Sequence, residues 1–335
     1  MNLNTILISI IIFGFLIIIH ELGHFVSAKL SKVKVEEFAV GMGPKLFSFK
    51  RNETLYSLRL IPLGGYCKML GEDENNYVEG SFNSKSKIIR TIILSAGSIM
   101  NIIGCIVLIT IIYLIIGIPT TTIESIEVDY PAYNAGIIAG DKIVRINDAE
   151  TKSWNDISNE ISDETIGEYK LDIIRDTKEI TLTVSSKYDE QLNRFRIGIT
   201  PIREKNIITS FANGFNQTIL YTKLILTSLV QLISGNASTN DLMGPIGVVS
   251  MVGETVKYGA TAVLNLAAVI SINLAIFNLL PIPALDGSRI VFIIVEWIKG
   301  SPVEPEKEGM IHFIGFSLLL VFAVFVAYND ILRLR

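Results

Sequence analysis

Charged residues, cysteines and histidines are all scarce in this sequence. Only 19% of its 335 residues are charged, 50% are hydrophobic, and the mean hydropathy is +0.47. This composition excludes an ordinary soluble domain and is typical of a polytopic membrane protein. The two cysteines, Cys67 and Cys105, are too few for a disulfide framework. A basic patch interleaved with aromatic residues is also lacking, which argues against binding to nucleic acid.

The few charges are distributed asymmetrically along the chain. Between Lys29 and Arg90 the sequence has eleven Lys and Arg residues, whereas residues 120–203 have sixteen acidic and ten basic residues. Under the positive-inside rule, the first segment is cytoplasmic and the second lies outside. The N-terminal apolar run lacks a basic leading region and a small-residue cleavage site, so we interpret it as a retained span and not as a signal peptide.

Four apolar segments are long enough to cross a hydrocarbon core of about 30 Å. They cover approximately residues 4–25, 88–118, 260–280 and 310–328. A further apolar stretch, residues 206–239, contains Lys223, which favours helices at the outer interface, although another span stays open. We therefore expect membrane halves at residues 1–119 and 258–335, with an interfacial helical linker at 204–257.

Two of the three histidines lie in the pentad His20-Glu21-Leu22-Gly23-His24, at the end of the first apolar segment. On a helix, residues four apart are displaced by about 6 Å along the axis and about 40° around it, so both imidazoles share one face. Two such histidines can hold zinc, and Glu21 lies close enough to take a proton from a water on the metal. The alternative, a chance match or histidines satisfied inside a bundle, is disfavoured because unpartnered polar groups are costly in a membrane.

A third metal ligand is predicted near the other end of the chain. The segment Pro281-Ile282-Pro283-Ala284-Leu285-Asp286-Gly287 follows the third span, and its two prolines predict an unwound helix end. Asp286 follows an uncharged run that starts at Tyr258, which places it at the same cytoplasmic depth as the histidines. Two histidines and one carboxylate, with water in the fourth position, form a catalytic zinc site. The alternatives are Asp286 as a helix N-cap and Glu296 as the third ligand.

Residues 33–87, between the first two spans, predict a small β region. The alternation around residues 55–60, the break at Pro62-Leu63-Gly64-Gly65 and the return through Tyr66 to Met69 predict a hairpin. This hairpin is either a cytosolic β domain without a catalytic role, or an edge strand beside the metal that pairs with an extended substrate.

Three further features have open roles. Asn101, in the second span, is either part of a helix-packing face or a group near the metal. The segment Met243-Gly244-Pro245-Ile246-Gly247 breaks any continuous helix and has no assigned role. His312, at the start of the last span, is interpreted as a structural histidine.

Residues 120–203 predict an acidic globular domain between the second span and the linker. The pattern Pro131-Ala132-x-x-Ala135-Gly136-Ile137-x-x-Gly140-Asp141 gives a short helix start and a Gly-Asp turn before an alternating strand. This pattern resembles a PDZ domain. Near its end, Ile197-Gly198-Ile199 resembles that family's carboxylate-binding loop, which would fit a circularly permuted PDZ domain. The alternative is that this segment is simply the last strand.

With HExxH in the first span, a PDZ-like insert and the segment Asn278-Leu-Leu-Pro-Ile-Pro-Ala-Leu-Asp-Gly287, the chain resembles the bacterial site-2 proteases. The match is to their PDZ-containing branch, which performs regulated intramembrane proteolysis. The resemblance implies a polytopic α-helical membrane protein with about four transmembrane helices. It also implies a membrane-associated β-hairpin region and an inserted extracytoplasmic α+β PDZ domain.

The resemblance further implies a role for individual positions. His20, His24 and Asp286 match the ligands of one zinc ion per chain, and Glu21 matches the residue that activates water for attack on the peptide. The implied substrate-binding positions are Asn273, Asn278, Leu63, Gly64, Gly65 and Tyr66. The implied activity is cleavage of the transmembrane segment of single-span membrane proteins. Such substrates are anti-sigma factors already trimmed by another protease, or remnant signal peptides.

The implied location is the cytoplasmic membrane, with the active site toward the cytoplasm and the PDZ domain outside. This chain has one predicted PDZ domain where longer members have two, which puts a two-domain size filter for substrates in doubt. A rival interpretation is a membrane-anchored binding protein with a vestigial metal site, but the intact pentad and Asp286 argue against it. A metal transporter would need polar ligands along several spans, and the spans have few.

Overall fold

The computed structural model describes residues 2–72, 77–161, 167–190, 192–235 and 243–333, apart from the side chains of residues 62 and 63. The chain divides into two compact units. The first contains Met1–Ile112 and Phe211–Arg335, and the second contains Tyr113–Ser210.

The first unit consists mainly of helices. Its N-terminal part has α1 (Leu3–Leu30), β1 (Val35–Arg51), β2 (Thr54–Met69) and α2 (Lys87–Ile116). The second unit has β3 (Ile118–Ile126), α3 (Pro131–Asn134), β4 (Lys142–Ile146), β5 (Ala149–Glu150), α4 (Trp154–Ile161), β6 (Glu168–Arg175), β7 (Lys178–Ser185), β8 (Lys187–Asp189), β9 (Arg194–Arg196) and β10 (Ile199–Glu204). The C-terminal part of the chain has α5 (Ile207–Ile233), α6 (Pro245–Val256), α7 (Ala260–Leu279), α8 (Asp286–Lys299) and α9 (Pro305–Arg333).

The four predicted spans are confirmed. Within the described residues, α1, α2, α7 and α9 are the four helices that are long and apolar enough to cross a membrane. A helix satisfies its backbone hydrogen bonds internally, which a span requires in a medium without water. α5, which carries Lys223, is not among the four. The protein is therefore a multi-pass membrane protein with an inserted α+β domain.

The β region is present, but its turn differs from the prediction. β1 and β2 are antiparallel and turn at Asn52, which has a φ of +54°. Both strands bend, so they form four segments side by side in the order 65–68, 37–40, 55–58 and 47–50. The predicted turn at residues 62–65 is wrong because the two predicted arms are both partners of the same segment and never pair with each other. Gly64, with a φ of +85°, bends β2 at that point.

A polar network joins these segments. The Glu37 carboxylate accepts hydrogen bonds from Ser57 Oγ at 2.6 Å and from Arg59 at 2.8 Å, and Tyr66 also donates to it. Burial opposes ionisation of Glu37, yet these hydrogen bonds lower its pKa to about 2. Beyond this network the β region exposes large apolar side chains, as expected for a membrane-associated element. They are Met42, Leu46, Phe47, Phe49, Leu58, Leu60 and Ile61.

The second unit is built on a six-stranded antiparallel sheet. Its main strand order is β10-β3-β4-β6-β7, with β5 paired to β4. One face of the sheet supplies a core of isoleucines and leucine, including Ile123, Ile143, Ile146, Leu171 and Ile173. The predicted alternation is not strict, because the buried residues of β4 are Ile143 and Ile146 and a register shift lies between Ile143 and Arg145. β10 is an edge strand of the sheet, paired with β3 on one side.

The Gly-Pro-Ile-Gly segment has a structural role that the sequence did not indicate. It begins α6, whose first backbone N–H groups have no partner within their own helix. Asp330, a buried residue of α9, accepts a hydrogen bond from Gly244 N at 3.1 Å and another from Gly247 N at 2.8 Å. A Cβ on Gly244 would lie 2.6 Å from the Asp330 carboxylate, so this close approach needs glycine. The carboxylate of one helix thus caps another.

Replacing Asp330 with alanine is expected to lower the stability of the first unit. Loss of a capping carboxylate costs about 0.5–2 kcal/mol, because two helix donors lose their acceptor. The measurement is the thermal unfolding midpoint of the detergent-solubilised protein. Tyr328→Ala is the matched control, because this α9 residue is 60% exposed. Equal midpoints for both variants would contradict the capping role.

Candidate metal centre

Three predicted ligands from distant parts of the chain meet at one point. His20 Nε2 lies 3.1 Å from Asp286 Oδ2, and His24 Nε2 lies 3.3 Å from the same oxygen. The two Nε2 atoms are 3.2 Å apart. Both histidines are buried, with exposed fractions of 8% and 6%. Glu296, the weaker candidate for the third ligand, instead binds Arg90 at 2.6 Å.

The local sequence explains how each predicted ligand is positioned. The helix α1 continues through the pentad, so both histidines lie on one face as their spacing predicts. After α7, the two prolines interrupt the helix, and α8 starts at Asp286. Gly287 is required there, because a Cβ would lie 2.3 Å from the carbonyl oxygens of Leu279 and Leu280.

Two glycines let α2 approach the pentad closely. A Cβ on Gly23 of α1 would lie 2.2 Å from the Ala96 carbonyl oxygen of α2. A Cβ on Gly97 of α2 would lie 2.3 Å from His24 Nε2 and 2.8 Å from His20 Nε2. The space between the ligands therefore exists only because residue 97 has no side chain.

The second ring nitrogen of each histidine also has a partner. His24 Nδ1 lies 2.9 Å from the Ile93 carbonyl oxygen, so it carries the proton and leaves a lone pair on Nε2. His20 Nδ1 lies 3.3 Å from the side-chain amide of the buried Asn101. The atom that faces Nδ1 is the amide nitrogen; a 180° turn of the amide would present its oxygen instead, which a lone pair on His20 Nε2 requires. The structure thus places Asn101 beside the predicted ligands, which was one of the two alternatives for this residue.

Glu21, a residue of α1, is covered by β2. The backbone N–H of Cys67 donates to its carboxylate. A Cβ on Gly65 would lie 3.1 Å from Glu21 Cγ, so the strand passes directly over the acid. Burial raises the pKa of the Cys67 thiol, so this neighbour stays a neutral thiol.

The ligands and Glu21 open on a cavity of about 480 Å³. Its other wall is the last part of β2, together with an ion pair between Arg289 and Glu72. Its lining residues are His20, Glu21, His24, Tyr66, Cys67, Lys68, Met69, Glu72, Leu94, Ala284, Asp286 and Arg289. This volume is large enough to admit an extended peptide segment alongside water.

The residues predicted to bind substrate lie at different distances from the metal cavity. Tyr66 lines the cavity and Gly65 lies against Glu21, whereas Gly64 packs against Met42 and the Leu63 side chain lies outside the described residues. Asn273 and Asn278 lie on α7 and are not among the residues that line the cavity. Their role in substrate binding stays a prediction.

In the second unit, the predicted PDZ loop borders a groove of about 250 Å³. Ile197, Gly198 and Ile199 line it, opposite residues of α4 such as Trp154 and Ile157. Gly198 has a φ of +86°, and a Cβ there would lie 2.0 Å from Tyr130 Cβ, so only glycine fits. A groove between a helix and an edge strand is the arrangement that the PDZ prediction requires.

The donor set fits zinc. Zinc bonds of about 2.0–2.1 Å to nitrogen and oxygen arranged as a tetrahedron place the ligand atoms about 3.3 Å apart. The three separations at this site are 3.1, 3.2 and 3.3 Å. When both Nε2 atoms carry lone pairs, these and the carboxylate repel one another unless a cation lies between them. Within the described part of the chain, this is the group of three ligands that could hold a metal ion.

Comparisons with known proteins find relatives that match nearly the whole chain. The model of peptidase family M50 matches residues 8–322. A Clostridium acetobutylicum protein, named as a candidate zinc metalloprotease, is 39% identical over 333 residues, covering 99% of this chain and 98% of that protein. The regulator of sigma-W protease RasP of Bacillus subtilis is 31% identical over 420 aligned positions, covering 100% of both chains. Since this chain has 335 residues, the Bacillus protein carries segments that are lacking here. A solved PDZ domain of an SdrC-like protein from Listeria monocytogenes covers 25% of this chain and 88% of its own length, at 22% identity and a TM-score of 0.23.

Proposed function

Because this chain belongs to peptidase family M50, the site-2 proteases, it is a zinc metalloprotease, and we propose that it cleaves membrane-spanning segments of other proteins. The observation that carries the proposal is the convergence of His20, His24 and Asp286 beside Glu21. We assign zinc binding to the first three and proton transfer to the fourth. The substrates are single-span membrane proteins or remnant signal peptides.

Zinc, when bound, supplies a Lewis acid that polarises the peptide carbonyl and lowers the pKa of water toward about 7. The chain's own residues supply the rest. Glu21 accepts a proton from the attacking water and donates it to the leaving amine. The Cys67 N–H and the close packing of Gly65 of β2 against Glu21 fix the orientation of this carboxylate for both proton transfers. Ile93 and Asn101 hold the imidazole rings of the two histidines in place.

A transmembrane helix hides its amides in hydrogen bonds, so it must be unwound locally before attack. The end of β2 lines the metal cavity from Tyr66 to Met69 and offers backbone groups to an extended strand. We propose that the unwound segment lies along this part of β2. Asn273 and Asn278, five residues apart on α7, are then the amides that hold the helical part.

The name of one relative indicates a class of substrate. The Bacillus subtilis relative is named as a regulator of sigma-W protease, and we extend that regulatory class to this chain as anti-sigma-factor-like substrates. A prior cut by another protease would present a shortened substrate. The groove at Gly198 would then bind its new C-terminus, since glycine exposes backbone N–H groups there.

We place the protein in the cytoplasmic membrane, with the metal centre toward the cytoplasm and the PDZ domain outside. The basic residues that follow α1, beginning at Lys29 and Lys32, support this orientation. A pentad at the cytoplasmic end of α1 can be reached by water from that side, and hydrolysis within a membrane needs such a path.

Removal of zinc is expected to abolish cleavage, and added zinc is expected to restore it. The experiment uses the purified full chain in detergent with a single-span model substrate, and mass spectrometry locates the cut. Cleavage within the apolar segment that disappears with a chelator supports the proposal. A protein without stoichiometric zinc, or a zinc-independent cut outside the apolar segment, would contradict it and favour a binding protein.

A further inference from the structure

The turn that delivers Asp286 contains an unusual backbone donor. In residues 281–285, Pro281 and Pro283 have no N–H group, Ile282 N donates to Leu280 O at 2.8 Å, and Leu285 N donates to Ile282 O at 3.1 Å. This leaves one N–H that does not bond within the turn, at Ala284. Because backbone polar groups need partners, the partner of Ala284 decides whether this turn holds its shape.

Ala284 also has a strained conformation. Its φ is +76°, in the left-handed region that residues other than glycine seldom adopt. Such a conformation persists only where the surroundings enforce it. Asp286 follows two residues later, so any relaxation at Ala284 would move the start of α8 and the carboxylate on it.

The partner of Ala284 is His312, on α9. The Ala284 N–H donates to His312 Nδ1 at 2.9 Å, which leaves the ring proton on Nε2. The imidazole packs edge to face against Phe292 of α8, with ring centroids 5.6 Å apart. Nε2 is buried and faces Glu308 at 3.6 Å. The ring is therefore held by packing, and its Nδ1 accepts a hydrogen bond from the turn.

A second contact comes from the next turn of the same helix. Gly315 is buried against Pro283, and a Cβ on Gly315 would lie 2.2 Å from Pro283 Cβ. His312 and Gly315 are three residues apart, so both lie on the face of α9 that meets the turn. One patch of the last span thus supports two consecutive residues before the metal ligand.

We propose that His312 is a positioning residue for the zinc site, acting through the Ala284 backbone to hold Asp286 at its ligand position. The inference deepens the proposed function and rests on it. His312 is neither a ligand nor a proton carrier here. It supplies the acceptor that stabilises a strained turn, so that the carboxylate meets the two imidazoles without an ordering cost when zinc binds.

The test compares variants that keep or delete this acceptor. His312→Phe keeps an aromatic ring against Phe292 but removes Nδ1, whereas His312→Asn places an amide oxygen close to the position of Nδ1. His312→Gln moves the oxygen one bond further and is a second deletion variant in case the first does not fold. Phe313→Ala is the control on the same turn, since Phe313 is 71% exposed.

The readout is the zinc dissociation constant of the full chain in detergent, measured by competition with a chelating dye. Partners of metal ligands typically contribute 10–100-fold to affinity, and we expect the Phe and Gln variants to bind zinc roughly ten-fold more weakly. The Asn variant and the Phe313 control are expected to stay within about threefold of the wild type, with unchanged unfolding midpoints.

Two results would overturn the inference alone: wild-type zinc affinity in the Phe and Gln variants, or equal weakening in the Asn variant. In the second case the loss would come from the ring and not from the hydrogen bond. A wild-type protein that holds no stoichiometric zinc would overturn the proposed function, and this inference with it. The two failures are therefore distinguishable by the zinc content of the wild type.

Discussion

Replacing Glu21 with glutamine is expected to lower the rate of substrate cleavage by about 10²–10⁴-fold while zinc stays bound. Glutamine has nearly the same shape and keeps an oxygen for the Cys67 N–H that donates to residue 21. It cannot accept a proton at neutral pH, so both the activation of water and the protonation of the leaving amine lose their carrier. The three proposed ligands, His20, His24 and Asp286, are unchanged by this substitution.

The measurement combines zinc content with single-turnover cleavage of a single-span substrate. Glu53→Gln is the matched control, because its carboxylate is exposed in the turn of the β region, 3.8 Å from Lys34 Nζ. The control should retain wild-type zinc and turnover. Cleavage by the Glu21 variant at the wild-type rate would refute the assigned role, and loss of zinc would show that Glu21 instead supports the ligands.

The convergence of His20, His24 and Asp286 could be predicted from the sequence because simple rules place each of them. The four-residue spacing of His20 and His24 defines one helix face, and it needs no knowledge of the rest of the fold. Asp286 required one further step, the match in membrane depth along an uncharged run. The distance of a residue from the membrane surface follows from its position along an apolar segment. The sequence therefore predicts this depth more readily than it predicts which helices are neighbours.

The β region shows where such reasoning ends. Residues 55–60 and 66–69 have the alternation of adjacent strands, and the glycines between them favour a turn. The structure places residues 37–40 between the two segments. Alternation reports which face is buried and not which strand is the neighbour, so the register needed the three-dimensional structure.

Asp330 and His312 illustrate a second limit. Both are polar residues of α9, and the partner of each is a backbone N–H far away in sequence. Backbone donors have no signature in the sequence, since nearly every residue has one. A weak signal was present: Gly244, Pro283 and Ala284 all lie in segments where prolines interrupt helices and leave donors in need of partners.

Replacing Gly97 with alanine is expected to abolish zinc binding and activity together. The added Cβ would lie 2.3 Å from His24 Nε2 and 2.7 Å from His20 Cε1, well inside van der Waals contact. The methyl group would occupy the space in which the lone pairs converge. Neither neighbour can yield easily, because α1 and α2 are also in close contact at Gly23. We expect zinc affinity to fall at least a hundred-fold, at the upper end of the losses seen around metal ligands.

Helix propensity makes this prediction sharper. Glycine to alanine within a helix normally stabilises it by about 1 kcal/mol, so a loss of zinc would not come from a weaker α2. Gly104→Ala is the matched control on the same helix, because a Cβ there would be 3.4 Å from Ser271 Oγ and 3.6 Å from Ile19. The control should keep wild-type zinc and activity. Stoichiometric zinc at wild-type affinity in the Gly97 variant would show that the metal lies elsewhere, because a methyl group and the ion cannot share the position between the two imidazoles.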